Sequence, residues 1–280
     1  MSSVINAVAS ANPNQALWEK GDFTRIAAAM RDGGEALVAT LGVTPGLDVL
    51  DLGCGDGTTA VPEAQLGANV LGVDIAENLV AAGNVRAQQF GLANLRFEQG
   101  DATDLEGLTD ESFDLVVSIF GAMFAPRPFD VAKEAVRVTR SGGRVVMGNW
   151  IPNDPTFVAQ LLKVSMAYSP PPPEGFVSPM TWGVEDHVRE RFGMAGVPAE
   201  NITCERTIFV FDTPKAPSEY LADFRDYYGP TMNAYAAAAE SGREAELHEE
   251  LEALVNEHNT RTGGDGTRIE AAYLRVTVVV

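Results

Sequence analysis

Between residues 49 and 60 the chain reads VLDLGCGDGTTA: an apolar run ends in Asp51, and Gly53, Gly55 and Gly57 follow before a helical segment begins. Glycines so placed let the backbone turn sharply and let a ligand lie against it with no Cβ in the way. The Asp51 carboxylate beside this turn suits a ligand carrying an ammonium group and a sulfonium, and opposes a pyrophosphate. A second apolar run, 69–74, ends in Asp74, about twenty residues on, where a carboxylate can accept hydrogen bonds from both ribose hydroxyls. A third, 95–99, is followed by Gly100, Asp101 and Ala102, where a carboxylate can accept from an adenine amino group. Singly, each acid reads equally well as a helix N-cap or a turn residue. Three of them closing three consecutive apolar runs, beside this glycine spacing, describe a nucleoside-binding site.

A dinucleotide site would need G-x-G-x-x-G, with a pyrophosphate on the helix N-terminus. Counted from Gly53, the third glycine should stand at 58; Thr58 stands there and the glycine is Gly57. The chain also offers no residue pair suited to hydride transfer, so an NAD-dependent oxidoreductase is the weaker alternative.

The elements that must position these residues alternate. Apolar runs with β-branched character at 47–52, 69–74, 95–99, 113–120 and 143–150 are separated by helical segments at 58–66, 76–91 and 128–139. Buried strands alternating with helices predict a parallel sheet covered on both faces, and right-handed crossovers make it an open, doubly wound α/β sheet with ligands beyond the strands' carboxyl ends. Upstream, 22–41 reads as helix, with Ile26, Met30, Leu37 and Leu41 on one face and Gly33 and Gly34 expected to divide it in two. Residues 1–15, small and polar, are expected to be poorly ordered.

After Trp150 the alternation stops. Helical stretches at 155–168 and 184–193 flank SPPPPEGFVSP (169–179), a stiff polyproline connector. Residues 207–211 and 271–280 predict two more strands, with a helical insertion at 216–260 between them. Leu247, Leu251, Leu254 and Val255 mark the insertion's buried stripe, and its glutamates form a solvated face.

Composition removes several classes of function. The 280 residues carry a net charge of −19, with no basic stripe to act as a local exception, which opposes nucleic acid and anionic lipid as partners. Cys54 and Cys204 alone make no disulfide framework, and His187, His248 and His258 are too scattered for a metal site, so no metal is expected. With neither a basic-then-apolar leader nor 18 consecutive apolar residues, the expectation is a soluble, cytoplasmic protein with no membrane partner.

Residues 45–150 resemble the class I S-adenosylmethionine-dependent methyltransferases, in particular the small-molecule group that includes the ubiquinone and menaquinone C-methyltransferases. DLGCGDG resembles that family's first motif, GVDIAENLV its ribose-acid segment and QGDATDL its adenine loop. ESFDLVVSIFGAMF resembles the fourth-strand motif and VTRSGGRVVMGNW the approach to the fifth strand. The resemblance implies a Rossmann-like, mostly parallel seven-stranded sheet with an antiparallel last strand and helical insertions. It implies S-adenosylmethionine as cofactor and S-adenosylhomocysteine as product. Asp51 and Gly53 would lie near the methionine part and Gly55 beside the cofactor backbone. Asp74 would bind the ribose, Ile75 would pack on the adenine, and Asp101 with Ala102 would meet its edge. Ser118, Ile119 and Phe120 would run beside the methionine and sulfonium. One departure is plain: the last two strands usually form a short hairpin in this family, and here some sixty residues separate them.

The expected organisation is one structural domain. Helices in 1–44 cover the cofactor site, 45–150 form the binding core, 151–206 a helical and proline-rich substrate-side insertion, and 207–280 the last two strands with the 216–260 insertion. Methyl transfer from a sulfonium is an in-line displacement in which the protein chiefly aligns the nucleophile and excludes water. The acceptor is expected to be a small molecule with an oxygen, nitrogen or carbon nucleophile. His187 is the one histidine near the substrate-side segments and so a candidate base. Trp18, Phe23, Met123, Phe124, Trp150, Trp182 and Tyr228 follow strand ends or lie in inserted segments, and are candidates for an aromatic acceptor wall. A cofactor-binding subunit without catalytic activity is the alternative within the same fold, and a homodimer is compatible with the sequence.

Overall fold

The computed structural model describes residues 13–263 and 265–280. Strands β1 (Asp48–Leu52), β2 (Asn69–Asp74), β3 (Leu95–Gln99), β4 (Phe113–Ile119), β5 (Thr139–Trp150), β6 (Ile202–Thr213) and β7 (Thr267–Val279) form a single sheet in the order β3-β2-β1-β4-β5-β7-β6. The first five strands run parallel; β7 lies antiparallel to both β5 and β6. Val49, Leu50, Leu52, Leu115, Val116 and Val117 are all buried, the unbroken apolar pattern of strands covered on both faces.

Three helices make the parallel crossovers: α4 (Ala60–Gln65) from β1 to β2, α5 (Glu77–Gln89) from β2 to β3, and α6 (Pro128–Val138) from β4 to β5. Strand order moves outward one way through β1, β2 and β3, and the other way through β4 and β5. Right-handed crossovers therefore set α4 and α5 against one face and α6 against the other. Local sequence ends these helices cleanly. After α5, Gly91 adopts φ +66°, and Gly91 N–H and Leu92 N–H bond to the carbonyls of Gln88 and Ala87, a Schellman stop. Pro128 opens α6 at the position where its missing N–H costs nothing.

The N-terminal segment differs from expectation. Residues 13–15 open helix α1 (Pro13–Glu19), started by a proline and supported by the Gln15–Glu19 side-chain bond; residues 1–12 lie outside the described part of the chain. Further on, the helix break falls at the 3₁₀ turn Ala28–Met30, between α2 (Phe23–Ala27) and α3 (Arg31–Val38), and not at Gly33 and Gly34. Those glycines sit inside α3 because of what they touch. A Cβ on Gly33 would lie 2.4 Å from the Val210 carbonyl oxygen, and one on Gly34 2.7 Å from that of Thr58. They let α3 press its backbone against β6 and the glycine turn, which outweighs their weak helix propensity.

Beyond β5 come α7 (Phe157–Tyr168), a 3₁₀ turn at Pro179–Gly183 and α8 (Glu185–Met194). Between β6 and β7 stand α9 (Pro217–Tyr227), α10 (Gly229–Glu240) and α11 (Glu244–His258). Leu247, Leu251 and Val255 are buried on α11, with Leu254 half-buried beside them. Helices α10 and α11 pack on α7, and α7 and α11 on β7, so a helical layer covers one end of the sheet. No helix among the described residues is long and apolar enough to cross a membrane.

Candidate active site

The sheet changes direction between β1 and β4, and the chain leaves both strands in tight turns. Gly53, Gly55 and Gly57 all have positive φ. The Gly53 N–H donates to the Val73 carbonyl at 2.7 Å, laying the turn across the end of β2. A Cβ on Gly53 would lie 2.8 Å from the Gly121 and Ala122 backbone, and one on Gly121 2.1 Å from the Gly53 carbonyl oxygen. The turns after β1 and β4 thus meet backbone to backbone. At Gly55 the space is open, with only the Phe23 ring 3.8 Å from where a Cβ would stand.

The Asp74 carboxylate is buried at this junction. Its Oδ2 accepts from the Gly55 N–H at 2.8 Å and its Oδ1 from the Ala76 N–H at 2.9 Å. Burial raises its pKa, and the three amides of Ala76, Gly55 and Ile75 counter that rise. Of the roughly four lone-pair sites of the carboxylate these amides leave part open, so it can still accept from a neighbouring diol. Asp101 Oδ1 accepts from the Thr103 N–H and hydroxyl, both at 2.8 Å, an Asx turn that holds the third acid in place.

Gly53, Gly55, Asp74, Ile75, Asp101, Ala102, Ile119 and Phe120 all line one cavity, together with Trp18, Phe23, Phe124, Trp150 and Tyr228. The aromatic side of that cavity is closely knit. Trp18 meets Phe124 at 5.0 Å, Phe23 at 5.9 Å and Tyr228 at 6.0 Å between ring centroids. Phe120 stacks on Trp150 at 3.7 Å, from a backbone held at φ +67° by the bond of its N–H to the Gly148 carbonyl. A bulky residue in that region is strained, and such strain persists where the surroundings over-determine it.

Five candidates stand elsewhere. Asp51 is buried behind the glycine turn, its Oδ2 accepting from the Thr59 hydroxyl at 2.5 Å; burial pushes its pKa up to about 7. Ser118 bridges the Leu52 carbonyl at 2.6 Å and the Ala122 N–H at 2.9 Å, tying β1 to the turn after β4. Neither reaches the cavity wall, because each is turned into the loop it stabilises. Met123 is buried in the core behind the turn after β4, and Trp182 is fully buried against Phe192 with the Arg191 guanidinium 4.5 Å over its ring. His187 is exposed on α8 beside Glu190 and contributes nothing to the cavity.

Other residues enter the wall without having been singled out. Phe224, on α9, lies one helical turn before Tyr228, the residue that caps that helix, and this i, i+4 spacing is the signal the sequence carries for it. Val158 and Leu161 on α7, Phe211 on β6 and Asn14 on α1 carried none. Asp56 in the glycine turn is held by Arg31 from α3 and by Arg86 from α5, 3.8 Å away. Arg31 also donates to the Thr58 hydroxyl and Arg86 to the Asp56 carbonyl, each at 2.6 Å.

Residues 50–147 match the family model of a methyltransferase domain. An uncharacterized protein of Mycobacterium tuberculosis is 34% identical over 252 residues, 89% of each chain. A demethylmenaquinone methyltransferase of Renibacterium salmoninarum is 34% identical over 121 residues, 43% of this chain and 48% of that one. Among solved structures, the YcgJ protein of Bacillus subtilis shares the fold at a TM-score of 0.57 and 18% identity, covering 88% of this chain and 97% of that chain.

Proposed function

The chain belongs to the class I S-adenosylmethionine-dependent methyltransferases, and we propose that it methylates a small, uncharged and largely apolar acceptor by in-line displacement. The observation that carries this reading is the division of one cavity into two walls. Its carboxylates, Asp56, Asp74 and Asp101, stand at or just beyond the ends of β1, β2 and β3, whereas Trp18, Phe23, Phe124, Trp150, Phe211, Phe224 and Tyr228 make up an aromatic remainder. Among the described residues that line it, no lysine, arginine, histidine or glutamate is present. An anionic acceptor would enter that aromatic side without a partner, at a desolvation cost above the roughly 2–7 kcal/mol of an unpaired neutral polar group.

When bound, S-adenosylmethionine supplies a methyl group already activated by the sulfonium charge. The chain's own contribution is placement. Asp74 would take the ribose hydroxyls on the lone pairs its backbone partners leave open. Ile75 and Ala102 would flank the adenine, with Asp101 at its edge. Gly55, with no Cβ, would let the cofactor lie on the turn. Ile119 and Phe120 would border the reacting centre, and the surrounding rings would exclude water and orient the acceptor.

Calorimetric titration with S-adenosylhomocysteine and with NAD tests the cofactor wall; binding of the former alone is expected, and binding of NAD alone would refute the reading. A panel of neutral aromatic, neutral aliphatic and charged acceptors with labelled methyl donor tests the other wall. Transfer confined to charged acceptors would overturn the acceptor class.

A further inference from the structure

Glu63 is 0% exposed on the inner side of α4, and neither of its carboxyl oxygens has a hydrogen-bond partner. Asp51, at the end of β1, is 1% exposed; its Oδ2 is taken by the Thr59 hydroxyl and its Oδ1 has no partner. Thr59 joins the two, because its carbonyl accepts the Glu63 N–H at 3.1 Å while its hydroxyl holds Asp51. Two ionised carboxylates this deep, with three oxygens unsatisfied and no cation, cannot both persist. The nearby cations are committed: Arg31 and Arg86 both hold Asp56. The other groups facing the pair are Asp74 from β2, whose oxygens accept backbone amides, and Cys54 in the turn.

We infer that Glu63 is a protonated positioning residue, donating its carboxyl proton to Asp51 Oδ1 and so holding the Asp51 side chain, and through it the glycine turn, in the shape that receives the cofactor. The pair then carries one negative charge and every oxygen of Asp51 has a donor. The electrostatics agree: burial, and after it the Asp51 charge, raise the Glu63 pKa well above the usual carboxylate range. The assignment concerns the back of the turn and does not depend on the acceptor class proposed above.

The sign of the pH dependence follows. A carboxyl whose pKa is raised in the folded state binds more protons folded than unfolded, so its contribution to stability falls as pH rises from its unfolded value toward its folded one. Glu63→Gln keeps a donor and removes the titration. Its melting temperature is therefore expected to rise relative to wild type as pH goes from about 5 to 9, whereas a pH-independent difference would overturn the inference. In wild-type protein at neutral pH, infrared spectroscopy should show a protonated-carboxyl C=O stretch that vanishes in Glu63→Gln. Absence of the band in wild-type protein refutes the inference even if a variant folds poorly, and its persistence in Glu63→Gln would place the proton on Asp51 instead and overturn it as well. For positioning, Glu63→Gln should bind S-adenosylhomocysteine within about twofold of wild type, and Glu63→Leu about tenfold more weakly. Equal affinities of the two variants would show that no donor to Asp51 is needed.

Discussion

The two walls of the cavity are built on different principles. The carboxylate wall comes from three consecutive strand ends, 53–57, 74–76 and 100–102; backbone amides nearby or in the adjacent turn hold Asp74 and Asp101, and Arg31 and Arg86 hold Asp56. The aromatic wall is assembled from α1, α2, the turn after β4, the ends of β5 and β6, and α9 with the residue that follows it, residues separated by about two hundred positions and brought together by tertiary packing. One wall is a property of local backbone geometry and the other of tertiary packing. The first should therefore tolerate almost no change, and the second should change its selectivity before it loses its shape.

That contrast can be broken at several points. The largest effect is expected from Gly121→Ala: the new Cβ would lie 2.1 Å from the Gly53 carbonyl, the two turns must part, and a strain of about 3 kcal/mol would weaken S-adenosylhomocysteine binding about 100-fold by calorimetry. Asp74→Ala comes next, with a loss of about 1.5–3 kcal/mol of cofactor affinity. A folded mutant with wild-type affinity would remove the ribose role. Phe224→Leu should leave cofactor affinity within about twofold while kcat/KM for an identified acceptor falls about tenfold; a parallel loss of both would show that the walls are not separate. Smaller still is Arg31→Met, worth about 1 kcal/mol or less in cofactor affinity and diminishing with added salt, since the arginine is partly exposed. His187→Ala should change neither activity nor its pH profile, because the ring, 48% exposed, stands apart from the cavity.

The same contrast explains what was legible in the sequence. Strands β1, β2 and β4 lie within a residue of their apolar runs, because a strand buried on both faces has little choice of composition. Asp74 and Asp101 reach the cavity because a residue at the end of a parallel strand opens onto the ligand side of the sheet. Asp51 and Ser118 sit at strand ends too, yet each turns inward to satisfy its own loop, a choice made by Thr59, Leu52 and Ala122 that composition does not reveal. Trp182 and Trp150 look alike in sequence; one fills the core under Arg191 and the other stacks on Phe120 at the cavity. Gly33 and Gly34 read as helix breakers because the surfaces that require them, Val210 and Thr58, lie far along the chain.

The ladder between β6 and β7 runs without interruption from Ile202 opposite Val278 to Thr213 opposite Thr267. The three helices that supply Phe224 and Tyr228 therefore enter and leave through two residues that are already paired neighbours. An insertion rooted at the tip of a closed hairpin adds only a slowly growing loop-closure entropy, whatever its length. An exchange that keeps its two ends and the faces packed on α1, α2, α7 and β7 is expected to leave the β6–β7 register in place. On the function proposed above, acceptor choice could then diverge as a cassette, at a rate of its own, while the strand-end turns stay constant.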